Sequence, residues 1–324
     1  MTTVLVTGVG AIIGYGLLRT LRATNRPLRL VGTDIYPDAV GQAWSDVFVQ
    51  APLTSSPDYL DWLKSVVDSH QVDLIIPGIE QDLHRYSDAR EVMESWRART
   101  VLNQARLIDL SRDKWLMHEE LVSIGEPSVI QSCGAGTFEQ LASLLGLPFI
   151  LKPRRSYASK GIVIVADEST FDFHKHRLGE TLIAQPIVGS ADQEYTVGVF
   201  GDGRGRASAS IALQRNLASD GSTAKARVCE PEGLSEVVDR LCRHFMPIGP
   251  TNLQFRLGDD GWKLLEINPR VSSSTSLRAA FGYNEGAMCI DFFCHGNLPY
   301  QPVLRRGSAT RFIEDHVTYD RDNL

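Results

Sequence analysis

Across its 324 residues this sequence has no C-x-x-C pair and no cysteine set at metal-ligand spacing, which removes zinc ribbons and thioredoxin-like redox motifs. Its five cysteines (Cys133, Cys229, Cys242, Cys289 and Cys294) are odd in number and scattered, a pattern that fits reduced thiols in the cytoplasm better than a disulfide framework. No apolar run approaches the length of a membrane span, so no membrane partner is expected. There is no excess of positive charge: the formal net charge is −6, which gives no basic field and makes nucleic acid an unexpected partner. The first residues, Met-Thr-Thr-Val-Leu-Val, lack a charged leader and run directly into a strand pattern, so no signal peptide is read. Internal repeats and low-complexity segments are also absent. What remains, 43% hydrophobic and 22% charged residues, is globular material with enough chain for two or three sub-domains.

The most informative stretch is Leu264–Arg270, Leu-Leu-Glu-Ile-Asn-Pro-Arg, with Thr251-Asn252-Leu253-Gln254-Phe255 upstream. Glu266 and Asn268 are two apart and share one face of an extended strand. Gln254 lies on a preceding alternating run, and Asp259-Asp260-Gly261 between the two is a hairpin signal. Paired antiparallel strands would present Gln254, Glu266 and Asn268 together, an all-oxygen set with one full negative charge. Magnesium suits such a set, because it takes one or two carboxylates and fills its remaining positions with waters and phosphate oxygens. Arg270 follows on the same face and can hold a phosphoryl oxygen or a carboxylate bidentately.

In chain order, Val4–Thr7 is a short apolar strand, followed by the turn Gly8–Gly14 and a helical run through Leu17, Leu18 and Leu21. Strand, glycine turn and helix form the opening of a nucleotide-binding α/β unit. A second strand, Leu28–Gly32, leads to Asp34, about where a ribose-binding acid sits in a dinucleotide fold. The turn can equally pack the helix on the sheet or hold an anion at the helix N-terminus. Helix Asp58–His70 leads to strand Val72–Pro77, whose carboxyl end carries Glu80 and Asp82. Those acids can meet the amine or hydroxyl of an acceptor, or simply start a helix. Arg99–Asn103 reads as one more short strand. The character changes near Asp109, and a helix opens over Ser111–Trp115.

Strand Pro148–Pro153 carries Lys152 and runs into the loop Arg154–Gly161, a lysine beside a small-residue loop of the kind that neutralises phosphate charge. Arg154, Arg155 and Lys160 add positive charge suited to a triphosphate. Thr181–Ile187 reads as strand and hinge, and Gly189–Val199 begins another strand. Strand Ser208–Gln214 is followed by Gln214-Arg215-Asn216, which strand order alone sets facing substrate, and Asn216–Lys225 is polar and reads as a loop near the acceptor. Leu234–Phe245 is an amphipathic helix through Leu234, Val237, Val238, Leu241 and Phe245. The hydroxyl-rich run Ser272–Ser276 enters a helix, Tyr283–Cys294 reads as a closing helix, and Ala309–Ile313 as a last strand.

The pairing of Asn-Leu-Gln-Phe with Leu-Leu-Glu-Ile-Asn-Pro-Arg resembles the metal-binding hairpin of the ATP-grasp superfamily, in the branch similar to the large subunit of carbamoyl phosphate synthetase. The resemblance covers roughly Asp109 to the end with specific motifs and the first hundred residues more loosely. It implies an α/β fold, α+β in its C-terminal part: a Rossmann-like pre-ATP-grasp domain over residues 1–108, a small ATP-grasp subdomain with a phosphate-binding lid over 109–183, and a large subdomain with the metal site over 184–324. By the same resemblance Lys114 and Lys152 reach the nucleotide phosphates, and Ser159 and Gly161 belong to the lid. Gln185 and the backbone of Ile187 meet adenine, and Glu194 accepts from the ribose. The metal ligands are Gln254, Glu266 and Asn268, and Arg270, Asn268 and Lys152 carry the chemistry. Ser156 and Ala158 stand where the family's lid commonly has glycine. The implied activity is a carboxylate–amine ligase working through an acyl phosphate. Its cofactors are ATP and Mg²⁺, with Mn²⁺ as the alternative metal, its partners small-molecule acids and amines, and its assembly a homodimer. Bicarbonate or carbamate phosphorylation and nucleotide binding without chemistry are the alternatives.

Overall fold

The computed structural model describes residues 1–155 and 161–317. Five strands, β1 (Thr2–Thr7), β2 (Leu28–Asp34), β3 (Val47–Gln50), β4 (Leu74–Ile76) and β5 (Arg99–Thr100), form a sheet in the order β3-β2-β1-β4-β5 with every pair parallel. The order reverses between β1 and β4, and a parallel sheet leaves its ligand crevice at that reversal, beyond the strands' carboxyl ends. Parallel strands covered on both sides must be apolar on both faces. Val4 and Val6 accordingly point to one core and Leu5 to another, all fully buried.

Three strands, β6 (Phe149–Pro153), β7 (Val163–Val165) and β8 (Leu182–Pro186), form a small antiparallel sheet in the order β7-β6-β8. It has a core of its own, in which Phe149, Leu151 and Leu182 meet Leu141, Leu145 and Phe171 from two helices. Burying each such side chain contributes about 1.5–3 kcal/mol. The first of those helices, Phe138–Leu145, starts at a reciprocal capping box between Thr137 and Gln140.

The remaining strands, β9 (Glu194–Asp202), β10 (Ala207–Leu217), β11 (Thr223–Cys229), β12 (Ile248–Gly258), β13 (Gly261–Asn268) and β14 (Ser308–Thr310), make an antiparallel sheet in the order β13-β12-β9-β10-β11-β14. One face is covered by the helix Leu234–Phe245, which buries the five apolar residues that its i, i+3, i+4, i+7 spacing aligns. The other face shares a core with the first sheet. Phe200, Ile211 and Leu213 join Val4, Leu17 and Leu18 there through Tyr283, Met288 and Ile290.

Two sequence expectations need correction. Asn216–Lys225 is not a loop but the hairpin of β10 and β11, turning over residues 218–222. Tyr283–Cys294 is not one helix but a short α-helix over Glu285–Cys289 followed by a π-helical turn over Ile290–Cys294.

Candidate active site

The metal-set strands form the two-residue hairpin that Asp259-Asp260 signalled, with Gly258 paired to Gly261. Register places Gln254 opposite Glu266 and Asn252 opposite Asn268, with an irregularity between Gln254 and Phe255. Directly opposite residues point to the same face, so these side chains open onto one cavity of about 640 Å³ between the small and large sheets. Lys152 enters that cavity from β6, and Lys114 from the first turn of the helix Lys114–Ser123. Gln185, Ile187 and Glu194 line its far end, and Glu80 and Arg270 its near end.

Glu266 is partly exposed, with Oε1 3.9 Å from Lys114 Nζ. Its Oε2 accepts from Asn268 Nδ2 at 3.2 Å, while Asn268 Oδ1 accepts from Arg270 Nη2 at 3.1 Å. The same Arg270 nitrogen donates to Glu80 Oε2 at 3.1 Å, which ties the near end to the first sheet. Burial pulls the Lys152 ammonium down to about 8, against the opposing pull of the Glu266 carboxylate.

Glu194 is 3% exposed and both its oxygens are taken. Oε1 accepts from Arg215 Nη2 at 2.8 Å, and Oε2 from Arg256 Nε at 3.1 Å and Nη2 at 2.9 Å. Arg215 Nη2 also reaches Gln254 Oε1 at 2.9 Å. Gln185 is buried and donates from Nε2 to Ser132 Oγ at 2.8 Å, so its side chain is occupied and its backbone edge borders the cavity. Ile187 is half-exposed beside it. Isoleucines 130, 150, 162 and 164 make this end apolar, a slot matched to a flat ring system.

Gly161 takes φ +77°, where a side chain is strained, and its added Cβ would stand 3.0 Å from Pro153 Cγ. It is a turn residue and is not part of the cavity lining. Ser159 and Lys160, like Ser156 and Ala158, lie outside the described residues. Arg154 and Arg155 do not face the cavity. Arg154 donates through Nε and Nη2 to both oxygens of Asp113 (3.0 and 2.8 Å) and through Nη1 to Gly179 O, and Arg155 Nε reaches Asp113 at 3.4 Å. The reason is local: Asp113 is 2% exposed, caps the next helix through Trp115 N–H, and a buried carboxylate needs a paired cation. Those arginines hold the carboxyl below its usual range, although burial acts the other way.

Glu80 faces the cavity and Asp82 does not. Asp82 is 2% exposed, accepts from Thr54 Oγ1 (2.6 Å) and Tyr59 Oη (2.9 Å), and has its proton affinity raised by burial. Asp34 likewise serves the backbone: it accepts from Gly10 N–H at 2.7 Å and Tyr36 N–H at 3.0 Å. A Cβ on Gly14 would sit 2.2 Å from Gly8 O, so that glycine exists for close helix–strand packing. Two residues near the metal set were not legible in advance. Asn252 faces Asn268, and its Oδ1 accepts from Arg278 Nη2 at 2.6 Å. Arg278, fully buried, fits only because Gly198 has no Cβ, which would lie 2.6 Å from its Nη1.

Among the described residues no three His, Cys, Asp or Glu side chains cluster as metal ligands. Glu266 is the one carboxylate of the hairpin set, Gln254 and Asn268 add amide oxygens, and a half-turn of the Asn268 amide exchanges its oxygen and nitrogen. Such a set fits Mg²⁺ that arrives with phosphate oxygens and does not fit a tightly held resident ion.

Residues 180–315 match the family model described as "ATP-grasp in the biosynthetic pathway with Ter operon". This stretch is similar to an ATP-grasp domain. Carbamoyl phosphate synthase large chains are its curated relatives. That of Methanosarcina acetivorans is 26% identical over 245 residues, covering 68% of this chain and 22% of the relative, and that of Methanosarcina mazei is 25% identical over 244 residues. The chain therefore spans about a fifth of the length of the relatives it matches. Among solved structures, N5-carboxyaminoimidazole synthetase from Staphylococcus aureus complexed with ADP superposes with TM-score 0.73 at 17% identity, over 94% of this chain and 80% of that one. The biotin carboxylase domain dimer of Hydrogenobacter thermophilus 2-oxoglutarate carboxylase, in complex with MgADP, ADP and bicarbonate, gives TM-score 0.71 at 15% identity, over 95% and 73%. These likenesses show the mixed α/β fold, a parallel sheet with antiparallel sheets, that the resemblance implied. Among the described residues no helix is long and apolar enough to cross a membrane.

Proposed function

We propose that this chain is an ATP-dependent carboxylate–amine ligase whose reaction runs in the cavity between the small and large sheets. The observation that carries the reading is convergence. Lys114, Lys152, Glu266, Asn268 and Arg270 come from a helix, β6, and β13 with the turn after it, and open on one cavity with an apolar slot at its far end. In this reading the adenine lies in the isoleucine slot against the Gln185–Ile187 backbone, and Lys152 and Lys114 meet the phosphates. Glu194 stands by the ribose, and Gln254, Glu266 and Asn268 hold Mg²⁺. When bound, that ion neutralises phosphate charge. The substrate carboxylate oxygen attacks the γ-phosphorus, the bond to the β-phosphate oxygen breaks, and ADP leaves. An amine then attacks the acyl carbon, phosphate departs, and the amine's proton goes to solvent. Arg270 supplies positive charge where the transferring group sits, and positioning by the two sheets contributes most of the remaining rate. The units for this division of labour are residues 1–108, 109–183 and 184–324.

Bicarbonate as the carboxylate is the second reading, favoured by the kinship with carbamoyl phosphate synthase large chains. The assembly we propose is a homodimer, as the biotin carboxylase domain neighbour is described. Five free thiols suit a reducing compartment, and the cytoplasm is the proposed location.

ATP-dependent hydroxamate formation over a panel of carboxylates, bicarbonate included, tests the chemistry, with hydroxylamine in place of the amine. A hydroxamate formed from one acid with matching ADP release is the expected result. ADP release that depends on bicarbonate alone selects the second reading. Nucleotide binding with no ADP release under any acid removes both.

A further inference from the structure

Arg215, near the end of β10, lines the cavity and keeps a buried guanidinium nitrogen without a partner among the described residues. Its side chain is 4% exposed and borders the cavity. Nη2 is spent twice, on Glu194 Oε1 at 2.8 Å and on Gln254 Oε1 at 2.9 Å. Nη1 makes only a long contact, 3.4 Å, to Thr223 Oγ1. Nε is buried and has no partner among the described residues. A buried guanidinium N–H is rarely left without an acceptor, because water cannot replace one there.

The charge balance around it is also open. Among the described residues Glu194 is the one carboxylate bonded to Arg215, and it is shared with Arg256, so one carboxylate answers two guanidinium groups. The position is specific. Arg215 stands against Gln254, which faces Glu266 across the hairpin, and Thr223 beside it bonds to Ser274 Oγ at 3.0 Å at the foot of the Thr275–Ala280 helix. Arg215 thus stands between Glu194, which borders the adenine slot of Gln185 and Ile187, and Gln254 of the proposed metal set, where the transferring group would sit.

We propose that Arg215 is a substrate-binding residue for the terminal phosphoryl group of a nucleoside triphosphate. Its Nε–H supplies the donor and its uncompensated charge the attraction. The inference rests on the nucleotide reading of this cavity and adds to it a cation outside the lysine pair and Arg270. Arginine fits the task and lysine does not. Only a planar fork can serve Glu194, Gln254 and an anionic oxygen at once.

Displacement of a fluorescent nucleotide, in the presence of Mg²⁺, by ADP and by the non-hydrolysable triphosphate AMP-PCP tests this on Arg215→Lys and Arg215→Met. In both variants ADP affinity is expected to stay within about 3-fold while AMP-PCP weakens roughly 10- to 100-fold, the loss of one charged hydrogen bond. Equal weakening of ADP and AMP-PCP overturns the proposal and makes Arg215 a prop for Glu194. So does unchanged binding of both. If Arg215→Met does not fold, Arg215→Lys keeps the charge opposite Glu194 and carries the comparison. Failure of the unsubstituted protein to displace the probe with either nucleotide removes the nucleotide reading itself, a result separable from the other three.

Discussion

Two glutamates share one cavity and are built in opposite ways. Glu194 is buried, its three bonds come from two arginines, and neither oxygen is left without a partner. Glu266 is 28% exposed at its side chain, sits 3.9 Å from the nearest lysine, and accepts one long bond from a neighbouring amide. A saturated carboxylate is part of the frame, because removing it strands cations in a dry place. An undersaturated one facing a cavity keeps lone pairs for something that comes and goes. The contrast assigns Glu194 a holding role and Glu266 the exchangeable one, although the resemblance that singled them out places both at the nucleotide.

The largest expected effect breaks the contrast at Glu266. Glu266→Ala should lower acid-dependent ADP release by about 10³-fold, in line with losing a preorganised charge at a transition state. Its melting temperature should stay within a few degrees, because Glu266 makes no close hydrogen-bonded ion pair and Lys152 can release its proton when the carboxylate is gone. Steady-state turnover and a thermal melt on the same sample check it, and near-normal turnover would remove Glu266 from the site. Next comes Glu194→Gln. It leaves Arg215 buried without its carboxylate and should cost roughly 3–5 kcal/mol of stability, read as a lower denaturant midpoint at constant slope. A variant as stable as the parent would show that the two arginines hold each other through solvent, and the contrast would collapse.

The smallest effect sharpens the electrostatics between the two acids. Burial lowers Lys152 to about 8, so its ammonium is half lost at that pH. Phosphate binds the charged form and raises its proton affinity. The sign follows: triphosphate affinity is flat below about pH 8 and falls above it, by at most about tenfold per pH unit. Binding titrations from pH 6.5 to about 9.5 should show that break, and Lys152→Met should remove it. A break that survives the substitution would belong to another group.

How much of this was readable in the chain depended on whether the deciding contacts were local. The β12–β13 hairpin was legible because alternation, a two-residue turn and the Glu-x-Asn spacing are all short-range signals. So was the Leu234–Phe245 helix, bounded as its periodicity implies. Strand β11 was hidden. Thr223–Cys229 carries Lys225 and Arg227 and follows a Ser-Asp-Gly-Ser turn, and only pairing with β10 makes it a strand. Arg154 misled for a related reason. Its position after Lys152 suggested phosphate, but its partner is a helix-capping aspartate 41 residues earlier. Arg215 could be placed near substrate by strand order alone. The open end of its fork belongs to three-dimensional packing among Glu194, Gln254 and Thr223, and no spacing rule encodes it.

The shared core under the first sheet has a consequence for how the protein is made. One face of that sheet packs on Leu63, Val67 and Leu83, which leave the ribosome soon after it. On the other face Val4 and Val6 lie with Leu17 and Leu18 of the helix Ile12–Arg22, leaving an apolar surface that is completed only by Phe200, Ile211 and finally Tyr283 to Ile290. At about 5–20 residues per second of synthesis, that greasy surface stays uncovered for tens of seconds while the rest of the chain is translated. The nascent N-terminal unit is therefore a natural client for chaperones, and slowing translation late in the message should harm its yield more than slowing it early.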